Sequence, residues 1–211
     1  MTTARDAAQW RGADEVWLDH ATLREADLAW LAPVRTLRLW AVRVPHGLLA
    51  ALPALEHLDV RGGSGSSVEL AAGCPRLRSL RVNQVRGVSD LSTVAGLATL
   101  ELLSLYGMPR VAAIPSLGGL PALRRAEVGS MKGLEGLTGV HDAPGLEELW
   151  LVNDVRLAPD DAARLAAHPT LREVAWDAPD VPLSTTRSFL DRVALPRARG
   201  MHVADWFAAR A

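Results

Sequence analysis

Apolar and polar residues alternate along this 211-residue chain in one recurring pattern. An apolar residue is followed by two variable ones, a second apolar residue, one variable position and a third apolar residue. Eight copies begin at Ala13 (ADEVWL), Val34 (VRTLRL), Leu55 (LEHLDV), Leu77 (LRSLRV), Leu100 (LELLSL), Leu123 (LRRAEV), Leu146 (LEELWL) and Leu171 (LREVAW), 21 to 25 residues apart. A period of this length marks stacked units, each too small to bury its apolar face except against its neighbours. Within a copy the fourth and sixth positions, such as Leu58 and Val60, alternate with polar residues, which is the periodicity of a short half-buried strand.

The rest of each unit must return the chain to begin the next strand alongside. In the central units Val88, Leu91, Val94, Leu97 and Leu100 follow one another at intervals of three. So do Val111, Ile114, Leu117, Leu120 and Leu123, and then Leu134, Leu137, Val140, Ala143 and Leu146. That spacing lines up one side of a tight 3-10-like return. The outer units predict longer helices, with Thr22 and Glu25 as a capping box before residues 27–31 and Asp160 and Asp161 capping residues 162–167. Proline precedes the strand in six units and ends the returning segment there. The Gly/Ser stretch 62–67 predicts a loop at the rim.

This spacing resembles the leucine-rich repeat family from residue 13 to residue 179. The segment VSDLSTVAGLATLELLSL (88–105) is similar to the 22-residue subtype of internalins and of a regulatory subunit of protein phosphatase 1. The resemblance implies an α/β fold, a curved right-handed solenoid with a parallel sheet of about eight strands on its concave face and short helices or 3-10 turns on its convex side. Residues 1–12 are then an N-terminal cap segment, 13–179 the eight repeats, and 180–211 a helical cap or tail of the same domain. One departure is plain: the ninth position, Asn or Cys in the family, is Ala21, Val42, Gly63, Val85, Met108, Met131, Asp154 and Pro179. The turn after each strand is therefore expected to be looser or more apolar than the family norm. An open stack needs covered ends. Trp10 with the first irregular strand is the candidate at the front, and Phe189, Leu190 and Val193 are the candidates at the back. A second cluster, Met201, Val203, Trp206 and Phe207, reads either as part of that cap or as a docking segment.

The register also says which side chains face outward. The row between the fourth and sixth positions is Trp17, Arg38, Asp59, Arg81, Ser104, Glu127, Trp150 and Ala175. The row after the sixth position is Asp19, Trp40, Arg61, Asn83, Tyr106, Gly129, Val152 and Asp177, and the row before the fourth runs from Glu15 and Thr36 through His57, Ser79, Leu102, Arg125 and Glu148 to Glu173. Trp, Tyr and Arg are the residues that most often anchor protein interfaces. Eight strands about 4.8 Å apart offer a face roughly 35 Å long, enough for an interface of standard size. Trp17, Arg38, Trp40, Asp59, Arg61, Arg81, Asn83, Tyr106, Glu127, Trp150 and Asp177 are the candidate partner-binding residues, basic toward the front and acidic toward the back. Arg38, Asp59 and Arg81 also read as a solvated cross-strand ladder, Trp17 as packed beneath the N-terminal cap, and Trp150 as covered by a rim loop.

Composition narrows the function classes. The 23 basic and 24 acidic residues leave a net charge of −1, without the basic footprint of a dedicated nucleic-acid binder. Cys74 is the single cysteine, so no intramolecular disulfide or thiolate zinc site is expected. No signal-peptide or membrane-spanning stretch is read, which points to a soluble cytoplasmic protein that does not engage a membrane. Lys132 is the only lysine, a bias expected of a GC-rich bacterial genome. No phosphate loop, dinucleotide fingerprint, HExxH or serine elbow is present. The expectation is a non-enzymatic module without cofactor or metal that binds another protein through the concave face. The alternatives are a structural subunit held through its tail, edge or convex side, and an enzyme-like or ligand pocket using His57, Asp59 and Arg61. The sequence carries no signal for oligomeric state.

Overall fold

A computed structural model describes residues 3–210 of the chain. Among them nine strands form one sheet and follow chain order from edge to edge. They are β1 (Gln9–Trp10), β2 (Glu15–Asp19), β3 (Thr36–Trp40), β4 (His57–Arg61), β5 (Ser79–Asn83), β6 (Leu102–Tyr106), β7 (Arg125–Met131), β8 (Glu148–Val155) and β9 (Glu173–Asp177). β1 pairs antiparallel with β2, and every later pair is parallel. The extra strand is the front cover: β1 shields the edge of β2, while Trp10 stays 45% exposed and meets Trp30 edge-on at 6.2 Å.

The fourth-position residues pair laterally from Val16 through Leu37, Leu58, Leu80, Leu103, Ala126 and Leu149 to Val174. With the sixth-position row they point to one side, where the returning segments cover them in a single continuous core. Each fully buried Leu there contributes about 1.5–3 kcal/mol relative to exposure. All three sets of residues spaced by three are buried, but their backbones differ. Helix α1 (Leu28–Leu31) lies in the first return of the chain; of these three sets, a 3-10 turn (Ser92–Gly96) carries the first and helix α2 (Thr138–His141) lies in the third. The second runs through residues 107–124 without helix or strand, partly tied by Leu117 N–H to the Gly139 carbonyl at 3.0 Å. The ninth positions Val85, Met108 and Met131 are buried, so apolar side chains fill the turns.

Two helix starts differ from expectation. The Arg24 N–H, rather than a Thr22–Glu25 box, is met by a side chain, the Asp27 carboxylate at 2.9 Å. Asp161 opens α3 (Asp161–Ala166) but does not cap it. Its carboxylate turns inward and accepts from the Ala158 N–H (2.6 Å), the Leu137 N–H (3.2 Å) and His141 Nε2 (2.7 Å), stapling two successive returns together.

Two positions in each unit fix the stack. The residue just past the outward row that follows the sixth position is left-handed in seven units: His20, Ala41, Gly62, Gln84, Gly107, Ser130 and Asn153, with φ between 47° and 71°. In five of them that residue's N–H still donates to the next strand, as Ala41 does to the Arg61 carbonyl at 2.7 Å, so the chain turns away without leaving a backbone donor unpaired. The second position of each unit alternates in sign from Asp14 through Arg35, Glu56, Arg78, Glu101, Arg124 and Glu147 to Arg172. Arg35–Glu56 (2.7 Å) and Arg78–Glu101 (2.6 Å) are its closest pairs, and the Arg35 hydrogen bond holds the Glu56 carboxyl below its ordinary range.

At the back, α4 (Leu183–Val193) closes the core. Phe189 stands edge-on to Trp176 at 5.3 Å, and Val193 is buried. Among the described residues no helix is long and apolar enough to cross a membrane.

Candidate functional site

The three outward rows lie side by side in the register read from the repeat, so the candidate residues share the face of the sheet opposite the leucine core. The front of this face is partly open. Trp40 is 38% exposed and its indole Nε1 lies beside Gly62. Trp17 is half-buried beneath the guanidinium of Arg11 at 5.7 Å. Arg38 pairs back to Glu15 at 2.9 Å, and Arg61 grips both oxygens of Asp59 at 2.7–3.1 Å. Arg81 reaches Asp59 only at 3.8 Å, so its charge is the least neutralised of the three. Asn83 is half-buried at the end of β5.

The back of the face is occupied by the chain itself, which departs from the expectation of an open acidic surface. After α4 the segment 196–198 runs along the edge of β9, where Pro196 accepts from the Val174 N–H at 2.9 Å. The chain then crosses the sheet, with Gly200 against Trp150, and forms α5 (Val203–Ala208). Trp206 is 1% exposed and donates from Nε1 to Glu148 at 3.1 Å. Phe207 packs edge-on to His57 at 4.8 Å beneath the guanidinium of Arg78. Arg210 pairs with Glu147 and Glu148, and Arg197 with Asp177. The acidic end of the face therefore seats arginines of the tail.

Glu127, Trp150 and Asp177 are thus engaged within the chain rather than open. Trp150 donates to Asp177 at 2.8 Å and lies under Arg125 at 5.4 Å. Arg125 is fully buried: Nε donates to Glu127 (2.9 Å), and Nη1 donates to Glu148 (2.8 Å) and to the Arg199 carbonyl (3.1 Å). Tyr106 lies over Gly129, where a Cβ would stand 2.7 Å from its ring, and its hydroxyl accepts from Asn153 at 2.7 Å.

Arg125, Glu148 and Arg210 make the ion pairs that hold the tail on this face and Leu102 is fully buried in it, and none was a candidate. Leu102 offered the clearest signal. It is an apolar residue in an otherwise polar outward row, and it is fully buried outside the main core.

Within the His57–Asp59–Arg61 grouping each side chain is already paired inside the chain. Asp59 is held by Arg61, while His57 Nδ1 faces the buried Ser79 hydroxyl at 2.9 Å and burial lowers the imidazole pKa, leaving it neutral near pH 7. Among the described residues no cluster of three His, Cys, Asp or Glu side chains is placed to hold a metal ion. Cys74 is buried and burial pushes its thiol up to about 11, which disfavours the reactive thiolate.

No model of a known protein family matches the sequence, and no curated protein matches it.

Proposed function

We propose that the chain is a leucine-rich repeat solenoid, and that it is a non-enzymatic module binding another protein through the concave, outward face of its sheet. One observation carries this reading. Trp17, Trp40 and Tyr106 stand with Arg38, Arg61 and Arg81 on a face that the leucine core does not need, each at a register position repeated from strand to strand. Rigid aromatics and arginines grouped this way are the side chains from which interface hot spots are built. The shared period, the sequential strand order and the compact returns support the solenoid.

The test is affinity capture from the native host's lysate, comparing the wild type with Trp40→Ala/Arg61→Ala. Both side chains are outside the leucine core, but the variant leaves the buried Asp59 only Arg81 at 3.8 Å, so it should melt several degrees lower while still unfolding cooperatively, and should lose the proteins that the wild type captures specifically. Capture of the same proteins at the same yield would defeat the proposal.

A further inference from the structure

We infer that the covered half of this face is a groove for a partner's short amphipathic helix, one with two adjacent aromatic side chains followed by a basic residue about one turn later, and that residues 199–210 are its resident, displaceable occupant. The inference rests on the reading of the face as a partner surface and names the partner's chemistry.

The tail is not needed to close the stack, because α4 already covers that end with Phe189 and Val193. Helix α5 has only six residues, too few to persist in water unaided, and residues 195–202 before it have no regular structure. Its order therefore comes from the face on which it lies. That face is matched to it in kind: Leu102 is a fully buried apolar residue of the same outward row, while Glu147 and Glu148 form an acidic wall in which Glu148 accepts from the Trp206 indole and both pair with the Arg210 guanidinium. This is helix-in-groove recognition, with aromatic anchors and a charge that fixes direction.

The fit is good at the wall and incomplete at the front. A cavity of about 280 Å3 remains between Arg38, His57 and Arg81 of the sheet and Val203, Ala204 and Phe207 of the helix. Besides Phe207, the tail presents only Val203 and Ala204 on that flank. A partner helix with bulkier apolar residues at those two positions would fill the cavity while keeping the Trp-Phe and Arg contacts, and so gain over the tail. The tail has the advantage of attachment, since a short tether gives a high effective concentration. A competing helix therefore binds the wild type more weakly than it binds a chain whose tail is loosened.

A fluorescent synthetic peptide of residues 197–211 tests this by anisotropy against the full-length protein. Trp206→Ala/Phe207→Ala removes the anchors of the resident tail and leaves the sheet untouched. Gly200→Val loosens it independently, because a Cβ there would stand 2.9 Å from the Trp150 ring. Both variants should bind the peptide at least tenfold more tightly than the wild type. A peptide carrying the same two alanines should bind none of the proteins, and one with Leu at both flank positions should bind more tightly than the native sequence. Equal, weak binding of the native peptide by the wild type and both variants would overturn the proposal, even if capture through Trp40 and Arg61 holds. If light scattering shows a wild-type dimer and monomeric variants, the occupant is the tail of a second copy, which also overturns it.

Discussion

Arg125→Met would remove the charge around which the covered half of the sheet is organised. The Arg125 side chain is 1% exposed, and its guanidinium joins Glu127, Glu148 and the Arg199 carbonyl at 2.8–3.1 Å. Met keeps most of the length and apolar volume but supplies no donor. Glu148 retains Arg210 and the Trp206 indole, whereas Glu127 is left without a partner among the described residues. Breaking a buried pair from one side costs about 3–5 kcal/mol, and the surviving contacts of Glu148 place this case near 3 kcal/mol. For a chain of this size that corresponds to a fall in Tm of roughly 6–12 °C. The cost comes mainly from the stranded carboxylate, so adding Glu127→Met should recover at least half of it. Urea unfolding followed by far-UV circular dichroism, with an unchanged slope, reads all three variants. A single-variant cost below about 1 kcal/mol, or a double variant as costly as the two singles combined, would refute the assignment.

Three further outcomes follow from other positions. Asp161→Asn should lower stability by about 1–3 kcal/mol at neutral pH, since the carboxylate satisfies two backbone donors and His141. Burial alone would raise the Asp161 pKa, but the hydrogen bonds from His141, Ala158 and Leu137 outweigh it and hold it below the usual carboxyl value. Its contribution is therefore complete above the unfolded-state pKa and lost as pH falls through the folded one, so wild type and variant should converge below about pH 4 in a pH series of urea titrations. Gly129→Ala should cost about 1–3 kcal/mol in the same assay and shift the Tyr106 fluorescence or ring resonances, because the new Cβ meets the Val152 carbonyl at 2.8 Å as well as the ring. Cys74 should resist alkylation at pH 8 in the native state and react readily in urea, as mass spectrometry would show.

The strands and their register were legible because period-two alternation repeated in eight units, and each repeat corroborated its neighbours. Trp176 occupies a sixth position of the repeat, and it is 7% exposed in the core. The returns were less legible. Spacing by three specifies which residues turn inward, but Val111 to Leu123 meet that demand without a helix, because proline and glycine in that segment interrupt a regular turn. The alternating charges from Asp14 to Arg172 stood in plain view at one position of the repeat, but they gain meaning only once lateral neighbours are known. The tail was the hardest part. Trp206 and Phe207 were visible as an apolar cluster, and Leu102 as an odd residue in its row, yet nothing local relates positions about a hundred residues apart. Pairing the tail's arginines with the acidic end of the sheet was the available clue.

A partner protein bound on the outward face of the sheet must shield the aromatic side chains there, and hydroxyl-radical footprinting with and without the captured partner reads that shielding residue by residue. Trp40 at 38% exposure reports on the face, and Trp10 at 45% reports on the front cover outside the outward rows. Binding on the outward face should protect Trp40 strongly, with Tyr106 following, and leave the rate at Trp10 unchanged. Protection confined to Trp10 or to exposed residues of the returns, with Trp40 as reactive as in the free protein, would contradict it.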